Sequence, residues 1–149
     1  GTGKTAAFLI ALFNRLLRNQ PRNAEHLDGP RALILAPTRE LAVQVADSFR
    51  DYGKNLPLRS TVVYGGVDMN AQIAQLRKGV EILVATPGRL LDHVQNKTVM
   101  FNQVSILVLD EGHVVERGDH RSLMAAGGVY AGLMLGQGAA DGDPTIGID

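Results

Sequence analysis

Two short segments, more than a hundred positions apart, combine residue types suited to phosphate and Mg²⁺ chemistry. Residues 1–5, GTGKT, match the second half of the pattern G-x-x-x-x-G-K-[ST]. In such a loop, glycines let backbone N–H groups surround an anion, a lysine lies along the β- and γ-phosphates, and a threonine hydroxyl ligates Mg²⁺. Asp110 and Glu111 follow an apolar run and offer a carboxylate for Mg²⁺ and a neighbouring base. Together the two segments predict a nucleotide site.

The elements that must hold these segments alternate between helix and strand. Short apolar runs predict strands at 32–35, 61–64, 81–85 and 105–109, and helical patterns lie at 6–19, 38–52, 71–78 and 86–95. This alternation predicts an α/β fold with a mostly parallel, doubly wound sheet flanked by helices. In such sheets ligands collect at the carboxyl ends of the strands, where all the polar motifs of this sequence lie.

Two threonines are expected to begin helices at that edge. Thr38 is the predicted N-cap of the second helix, whose inward residues are predicted to include Tyr52, and Thr86 is the predicted N-cap of the fourth. Helix amino ends offer unpaired N–H groups to an anion, and a glycine pair such as Gly65-Gly66 lets another backbone approach closely. Taken alone, however, these residues are more simply interpreted as helix starts and a tight turn.

Composition limits the possible classes of protein. The 149 residues are 45% hydrophobic, carry no net charge at pH 7 and include no cysteine, which fits one ordinary α/β domain without disulfides or thiolate metal sites. No apolar run approaches the ~18 residues of a membrane span and no signal peptide is recognisable, so a cytoplasmic location is expected. Residues 1–111 have 13 Lys and Arg against 10 Asp and Glu, so any nucleic-acid contact is expected there.

The last part of the chain, 112–149, has a different character. Nine of its 38 residues are glycine, and no helical or strand period lasts long enough to assign with certainty: 122–126 and 129–135 could be two short helices or one broken helix, but the glycines at 127, 128, 132 and 136 weaken both interpretations. We expect a glycine-rich, divergent and poorly ordered tail. His113 is interpreted as the first residue of that tail, and His26, His93 and His120, which lack metal-ligand spacing, are expected to face solvent.

Five motifs resemble, in order and spacing, those of the first domain of DEAD-box RNA helicases, and the sequence between them looks most like the bacterial members. They are GTGKT at 1–5, PTRELA at 37–42, GG at 65–66, TPGR at 86–89 and VLDE at 108–111. The resemblance covers residues 1–111. It implies a partial RecA-like domain of the P-loop NTPase type, incomplete at both ends, with ATP and Mg²⁺ as cofactors.

The resemblance also implies a role for each matching residue. Lys4, Asp110 and Glu111 would be catalytic, with Glu111 activating the attacking water, and Thr5 and Asp110 would hold Mg²⁺. The phosphates would be bound by Gly1, Thr2, Gly3, Lys4 and Thr5. One RNA strand would be held by its sugar-phosphate backbone, without sequence preference, at Pro37, Thr38, Arg39, Gly65, Gly66, Thr86, Gly88 and Arg89.

The sequence departs from the family pattern at several points. The family's adenine-recognition segment, its Ser-Ala-Thr motif and the second RecA-like domain that completes its active site are not found, and Asp-Glu-Ala-Asp is replaced by DEGH at 110–113. We therefore expect an ATP-dependent RNA helicase represented by a truncated first domain that alone hydrolyses ATP hardly at all. The alternatives are a non-catalytic remnant that weakly binds RNA backbone or a protein partner, and a P-loop ATPase that acts on something other than RNA.

Overall fold

The computed structural model describes residues 2–18, 29–99, 104–110 and 113–140, and of residues 2–6, 110 and 136–140 it describes the backbone only. Helices and strands alternate along most of this length. In chain order the elements are α1 (Thr2–Arg18), β1 (Ala32–Leu35), α2 (Arg39–Gly53), β2 (Ser60–Val63), α3 (Met69–Arg77), β3 (Ile82–Ala85), α4 (Pro87–Gln95), β4 (Ser105–Asp110), β5 (His113–Gly118), α5 (His120–Ala126) and α6 (Val129–Ala140).

The five strands of the described residues form one sheet in the order β2-β3-β1-β4-β5. Strands β1 to β4 are parallel, with Leu33 of β1 opposite Leu83 on one side and Ile106 on the other. Strand β5 joins the edge of β4 and runs antiparallel to it. The predicted α/β fold, with a mostly parallel sheet flanked by helices, is confirmed.

Two apolar layers hold the sheet between helices. Side chains alternate across a strand, so neighbouring residues Leu33 and Ile34 of β1 face opposite layers, and both are fully buried. The layer of Ile34 is covered by α1 and α2, and the layer of Leu33 by α3, α4, α5 and α6. This burial on both faces explains why the central strands are continuous apolar runs. Each fully buried leucine stabilises the fold by about 1.5–3 kcal/mol.

Helix α1 runs antiparallel to the strands that it covers. Its last turn is anchored by Arg31, whose Nη2 donates to the Leu16 carbonyl oxygen at 2.8 Å, and Arg31 directly precedes β1. The carboxyl end of α1 therefore lies at the amino edge of the sheet. A 17-residue helix is about 25 Å long, so its amino end reaches the opposite edge, where the parallel strands end.

Tyr52 does not point inward as predicted, since its exposed fraction is 53%. In the last turn of α2 it is Gly53 that faces α1, because a Cβ built on Gly53 would lie 3.1 Å from the Phe13 ring. The Phe13 ring also packs edge-on against Phe49, with centroids 5.3 Å apart. The face that α2 presents to α1 thus continues through Gly53, and Tyr52 is left at the surface.

The structure describes regular elements beyond residue 112, among them helices at both segments that the sequence left open, 122–126 and 129–135. Strand β5 and helices α5 and α6 occupy 113–140, and Leu123, Tyr130 and Met134 join the core. The backbone of β4 supplies the pairing of β5, whose two adjacent valines are exposed and whose sequence shows no alternation of apolar and polar residues. Gly127 ends α5 with a left-handed φ of 65° instead of interrupting a helix. Among the described residues, no helix is long and apolar enough to cross a membrane.

Candidate functional site

The carboxyl ends of β1, β2 and β3 place three loops side by side. Leu35 and Val63, at the ends of β1 and β2, both pair with Ala85 at the end of β3. Beyond these pairs, the N–H of Thr86 donates to the Val63 carbonyl oxygen at 3.2 Å. We call this region the loop edge, defined by residues 36–39, 64–68 and 86–89. All eight residues predicted to bind RNA lie on the loop edge. That they bind RNA stays a prediction.

Thr38 begins α2 as the sequence predicted. Its backbone is extended, and its Oγ1 accepts from the N–H of Leu41 at 3.2 Å. Thr38 and Arg39 are exposed, so the amino end of α2 is open to solvent on the loop edge. A helix of 15 residues concentrates positive potential at this end, where its first N–H groups lack intrahelical acceptors.

Thr86 is the N-cap residue of α4 by its backbone position, but its side chain forms no capping hydrogen bond. Pro87 occupies the first turn, as expected from its fixed φ, and the N–H of Leu90 donates to the Thr86 carbonyl oxygen at 2.9 Å. The Thr86 side chain is fully buried, and its Oγ1 has no hydrogen-bond partner among the described residues. A buried hydroxyl without a partner costs stability, so this site is not optimised for the fold alone.

The turn between β2 and α3 packs against Arg39. Gly66 has a φ of +83°, and a Cβ at this position would lie 3.3 Å from Arg39 Nη1. The Arg39 guanidinium carbon lies 4.9 Å from the centroid of the Tyr64 ring, which is a cation–π contact. Glycine is therefore favoured at 66 by its backbone conformation, and the absence of a Cβ leaves room for the end of the arginine.

Arg89 is held by contacts within the protein. Its Nη1 donates to the Val67 carbonyl oxygen at 2.8 Å and to Gln72 Oε1 at 3.0 Å. Its Nε lies 3.5 Å from Asp92 Oδ2, an ion pair that does not meet hydrogen-bond geometry. The guanidinium thus ties α4 to the turn after β2, and its charge remains next to the loop edge.

His93 is not exposed as the sequence led us to expect; it is completely buried. Its Nε2 lies 3.0 Å from Gln72 Oε1 and its Nδ1 lies 2.8 Å from Thr98 Oγ1. Burial, and next the positive charge of Arg89, lower the pKa of His93 to about 4. The imidazole is therefore neutral at neutral pH and serves as a fixed hydrogen-bonding group.

The other predicted histidines differ from one another. His120 is half-buried, and its Nδ1 lies 2.7 Å from the Tyr130 hydroxyl, so the prediction that it faces solvent is wrong in this respect. His113 is exposed on β5 opposite Asp110. His26 lies outside the described residues. In the described part of the chain, no group of three or more His, Asp or Glu could hold a metal ion.

The backbone places two of the segments predicted to bind nucleotide, residues 2–5 and Asp110, toward the same edge of the sheet. Thr2, Lys4 and Thr5 belong to the amino end of α1, and Asp110 ends β4 next to the end of β1. The side chains of these residues and of Asp110 are not described, Gly3 has none, and Gly1 and Glu111 lie outside the described residues. The backbone thus brings a helix amino end and a strand that ends in an acidic residue to one edge, which suits a phosphate with Mg²⁺.

Sequence reasoning missed Gln72 and His93, which join this site. His93 follows Leu90 by three positions and precedes Val94 by one, so it lies on the apolar stripe of α4. That position was a signal for burial. Gln72 offered no comparable signal, because its neighbours Met69 and Asn70 give α3 only a weak apolar face.

Comparison with known proteins agrees with these motifs. The family model described as DEAD/DEAH box helicase matches residues 1–127, which extends beyond the last motif at 108–111. An "ATP-dependent RNA helicase RhlB" of Xanthomonas oryzae pv. oryzae is 53% identical over 113 residues, which are 74% of this chain and 20% of that relative. Proteins of the same name from Xanthomonas axonopodis pv. citri and Shewanella denitrificans are 51% and 46% identical, again over 74% of this chain and over 20% and 26% of theirs. The chain therefore spans about a quarter or less of the length of these relatives.

Proposed function

Because this chain belongs to the DEAD/DEAH box helicase family, we propose that it forms part of the first, ATP-binding domain of an ATP-dependent RNA helicase. The proposal includes ATP hydrolysis coupled to local unwinding of RNA duplexes by the whole protein. The observation that supports it most is the common edge, at the carboxyl ends of β1 to β3, at which the amino ends of α2 and α4 contact the turn that contains Gly65 and Gly66. A cytoplasmic location belongs to the same proposal and fits the absence of cysteine.

RNA would lie along the loop edge, held by its sugar-phosphate backbone. The open amino end of α2 and the half-buried Gly88 and Arg89 in the first turn of α4 offer N–H groups and positive potential to phosphates, and Gly66 keeps the turn free of a side chain. The charges of Arg39 and Arg89 lie beside them. The other residues proposed to contact RNA are Pro37, Thr38, Gly65, Thr86 and Gly88. Since such contacts read no base edges, binding would be tolerant of sequence.

ATP would bind where α1 begins. The backbone of Gly1, Thr2 and Gly3 would surround the phosphates, with the Lys4 ammonium along the β- and γ-phosphates. A hydroxyl from Thr5 and a carboxylate from Asp110 are oxygen donors of the kind that Mg²⁺ prefers. Bound there, Mg²⁺ would neutralise charge on the phosphate oxygens.

Hydrolysis would require Glu111 to orient the attacking water and accept its proton. Phosphoryl transfer depends mostly on positioning and charge stabilisation, and an arginine supplied from outside the first domain is worth about 10³–10⁵ in rate. We propose that this arginine, and a second half of the RNA clamp, come from a second RecA-like domain. The chain alone would therefore bind ATP but turn it over very slowly.

RNA binding is tested with the 149-residue chain and a fluorescein-labelled polyuridine strand, measured by anisotropy over a range of salt concentrations. We expect weak binding, equal for a strand of mixed sequence, with log affinity falling linearly with log salt at about −0.7 per phosphate neutralised. Binding independent of salt, or specific for one sequence, would contradict the proposed backbone contacts. Hydrogen exchange of β1, β3 and β4 verifies that each preparation is folded.

Nucleotide binding is tested by calorimetry with ATP and Mg²⁺, using Lys4→Ala as the matched variant. We expect binding that is lost in Lys4→Ala and in the presence of a chelator, together with negligible turnover. RNA-stimulated, Lys4-dependent turnover by this chain would contradict the need for a second domain. ATP binding without any effect of RNA would favour a P-loop ATPase that acts on something else.

A further inference from the structure

We infer that Gln72 and His93 are positioning residues for RNA binding: they fix Arg89 and the turn at 64–67 to each other and thereby set the shape of the loop edge. This inference rests on the proposed function, and it concerns two residues that none of the five sequence motifs contains. It follows from a hydrogen-bonded junction between α3, α4 and the turn after β2.

Every polar atom of the Gln72 amide group has a determined role. Nε2 donates to the Tyr64 carbonyl oxygen at 2.9 Å, and Oε1 accepts from Arg89 Nη1 at 3.0 Å. A carbonyl oxygen can only accept and a guanidinium can only donate, so these two contacts fix the orientation of the amide. Gln72 is only 6% exposed, which leaves water little access to the junction.

The same reasoning fixes the tautomer of His93. Its Nε2 faces Gln72 Oε1, an acceptor, and must therefore carry the proton. In the neutral ring Nδ1 then accepts the single proton of the Thr98 hydroxyl at 2.8 Å, in competition with the His93 carbonyl oxygen, which lies 2.9 Å from the same Oγ1. His93 is thus a fixed donor to the Gln72 amide oxygen, and Thr98 holds His93 in its ring orientation.

The junction controls both ends of the glycine turn. Gln72 holds the Tyr64 carbonyl oxygen and Arg89 holds that of Val67, so Gly65 and Gly66 lie between two anchored positions. Arg89 also belongs to the first turn of α4. The junction therefore sets the distance between the turn and the amino end of α4, which are two of the surfaces proposed to contact one RNA strand.

Packing alone does not explain these residue types. A leucine at position 93 would fill the space, and it would leave Gln72 Oε1 paired with Arg89 and Thr98 Oγ1 paired with the backbone carbonyl oxygen of residue 93, so no buried polar atom would lose its last partner. A hydrogen-bonding network instead specifies one geometry. The leucine variant should therefore keep the fold and lose the fixed position of Arg89.

The test compares the full chain with His93→Leu and His93→Gln, in which the glutamine Nε2 can replace the imidazole N–H. Nitrogen-15 NMR first reports the wild-type imidazole tautomer and the exchange of the Arg89 side-chain N–H groups. We expect a proton on Nε2, resolved Arg89 signals in wild type and His93→Gln, and loss of those signals in His93→Leu. Affinity for the labelled polyuridine strand should fall about three- to tenfold in His93→Leu and recover in His93→Gln.

Each other outcome overturns the inference. The first is a wild-type imidazole that carries its proton on Nδ1. The second is that the Arg89 N–H signals persist in His93→Leu, and the third is that His93→Gln binds RNA as weakly as His93→Leu. If His93→Leu does not fold, the wild-type tautomer and the comparison with His93→Gln decide. The NMR measurements need no RNA, so a chain that binds no RNA contradicts the proposed function without deciding the role of the junction.

Discussion

The guanidinium of Arg39 lies over the ring of Tyr64, with 4.9 Å between its central carbon and the ring centroid. Arg39 begins α2 and Tyr64 directly follows β2, so this contact links two of the three loops of the loop edge. It also brings the arginine next to Gly66, where a side chain would meet its Nη1. The ring thus determines where an otherwise exposed and flexible type of side chain presents its charge.

We expect Tyr64→Ala to weaken RNA binding about two- to fivefold, because an exposed cation–π contact is worth about 0.5–1 kcal/mol. Tyr64→Phe keeps the ring and should bind like wild type. The slope of log affinity against log salt concentration distinguishes the position of the arginine from its charge. Tyr64→Ala keeps the charge and should leave this slope unchanged, whereas Arg39→Gln removes the charge and should reduce the slope by about 0.7. Anisotropy titrations at several salt concentrations measure both quantities. A reduced slope in Tyr64→Ala would show that the ring does more than place the arginine.

Thr86→Val tests whether the buried hydroxyl serves the fold or the ligand. Its Oγ1 has no partner among the described residues, so its removal should leave the free energy of unfolding unchanged or raise it by about 1 kcal/mol. RNA affinity should nevertheless fall if the hydroxyl reaches a phosphate in the complex. Thr86→Ser is the control, since it keeps the hydroxyl and loses a buried methyl group. Urea denaturation followed by circular dichroism would contradict us if Thr86→Val were the less stable variant.

The sequence predicted the parts of the fold that depend on local patterns. Continuous apolar runs predicted β1, β3 and β4, because a strand covered on both faces needs such residues, and Thr38 marked the start of α2 through its own hydrogen bond. Strand β5 escaped prediction because the backbone of β4, supplied from elsewhere in the chain, determines its pairing.

The candidate site divides in the same way. Its backbone features follow from the positions of glycines and helix caps, so the residues of the loop edge could be identified from motifs. The apolar stripe of α4 signalled the burial of His93, but its partners could not be predicted, because Gln72 from α3 and Thr98 beyond α4 meet the ring only in three dimensions. Likewise, the contacts of Arg89 with Val67 and Gln72 involve residues separated by about twenty positions.

The depressed pKa of His93 predicts a loss of stability in acid. Its pKa is 6.5 when unfolded and about 4 in the folded chain, so between these values the unfolded state binds a proton that the folded state resists. The contribution of His93 to stability is therefore present above pH 6.5 and decreases as the pH falls toward 4. Urea denaturation across this range should show a steeper decrease for wild type than for His93→Gln, which has no group to titrate there. If the free energy of unfolding fell equally with pH in wild type and His93→Gln, the lowered pKa of His93 would be contradicted.

The amino end of α6 offers a test of how the last elements are held. Glu116 Oε1 accepts from the N–H of Tyr130 at 2.6 Å, and a Cβ on Gly128 would lie 2.1 Å from Glu116 Oε2. Glu116→Ala should cost about 1 kcal/mol, the usual effect of losing a helix cap, and Glu116→Gln, which keeps an acceptor, should cost less. Gly128→Ala should also destabilise the chain, because the new methyl group and the carboxylate cannot occupy the same space.

The double variant Glu116→Ala, Gly128→Ala shows whether the contact between Glu116 and position 128 explains the loss of stability in both single variants. With Glu116→Ala the carboxylate is absent, so adding Gly128→Ala should cost clearly less than it does in wild type, and the two changes should not be additive. Because the chain has no tryptophan, unfolding is followed by circular dichroism in urea, with hydrogen exchange of 129–135 as the local readout. Additive costs would show that Gly128 is required for another reason, and that Glu116 is not what holds α6 against β5.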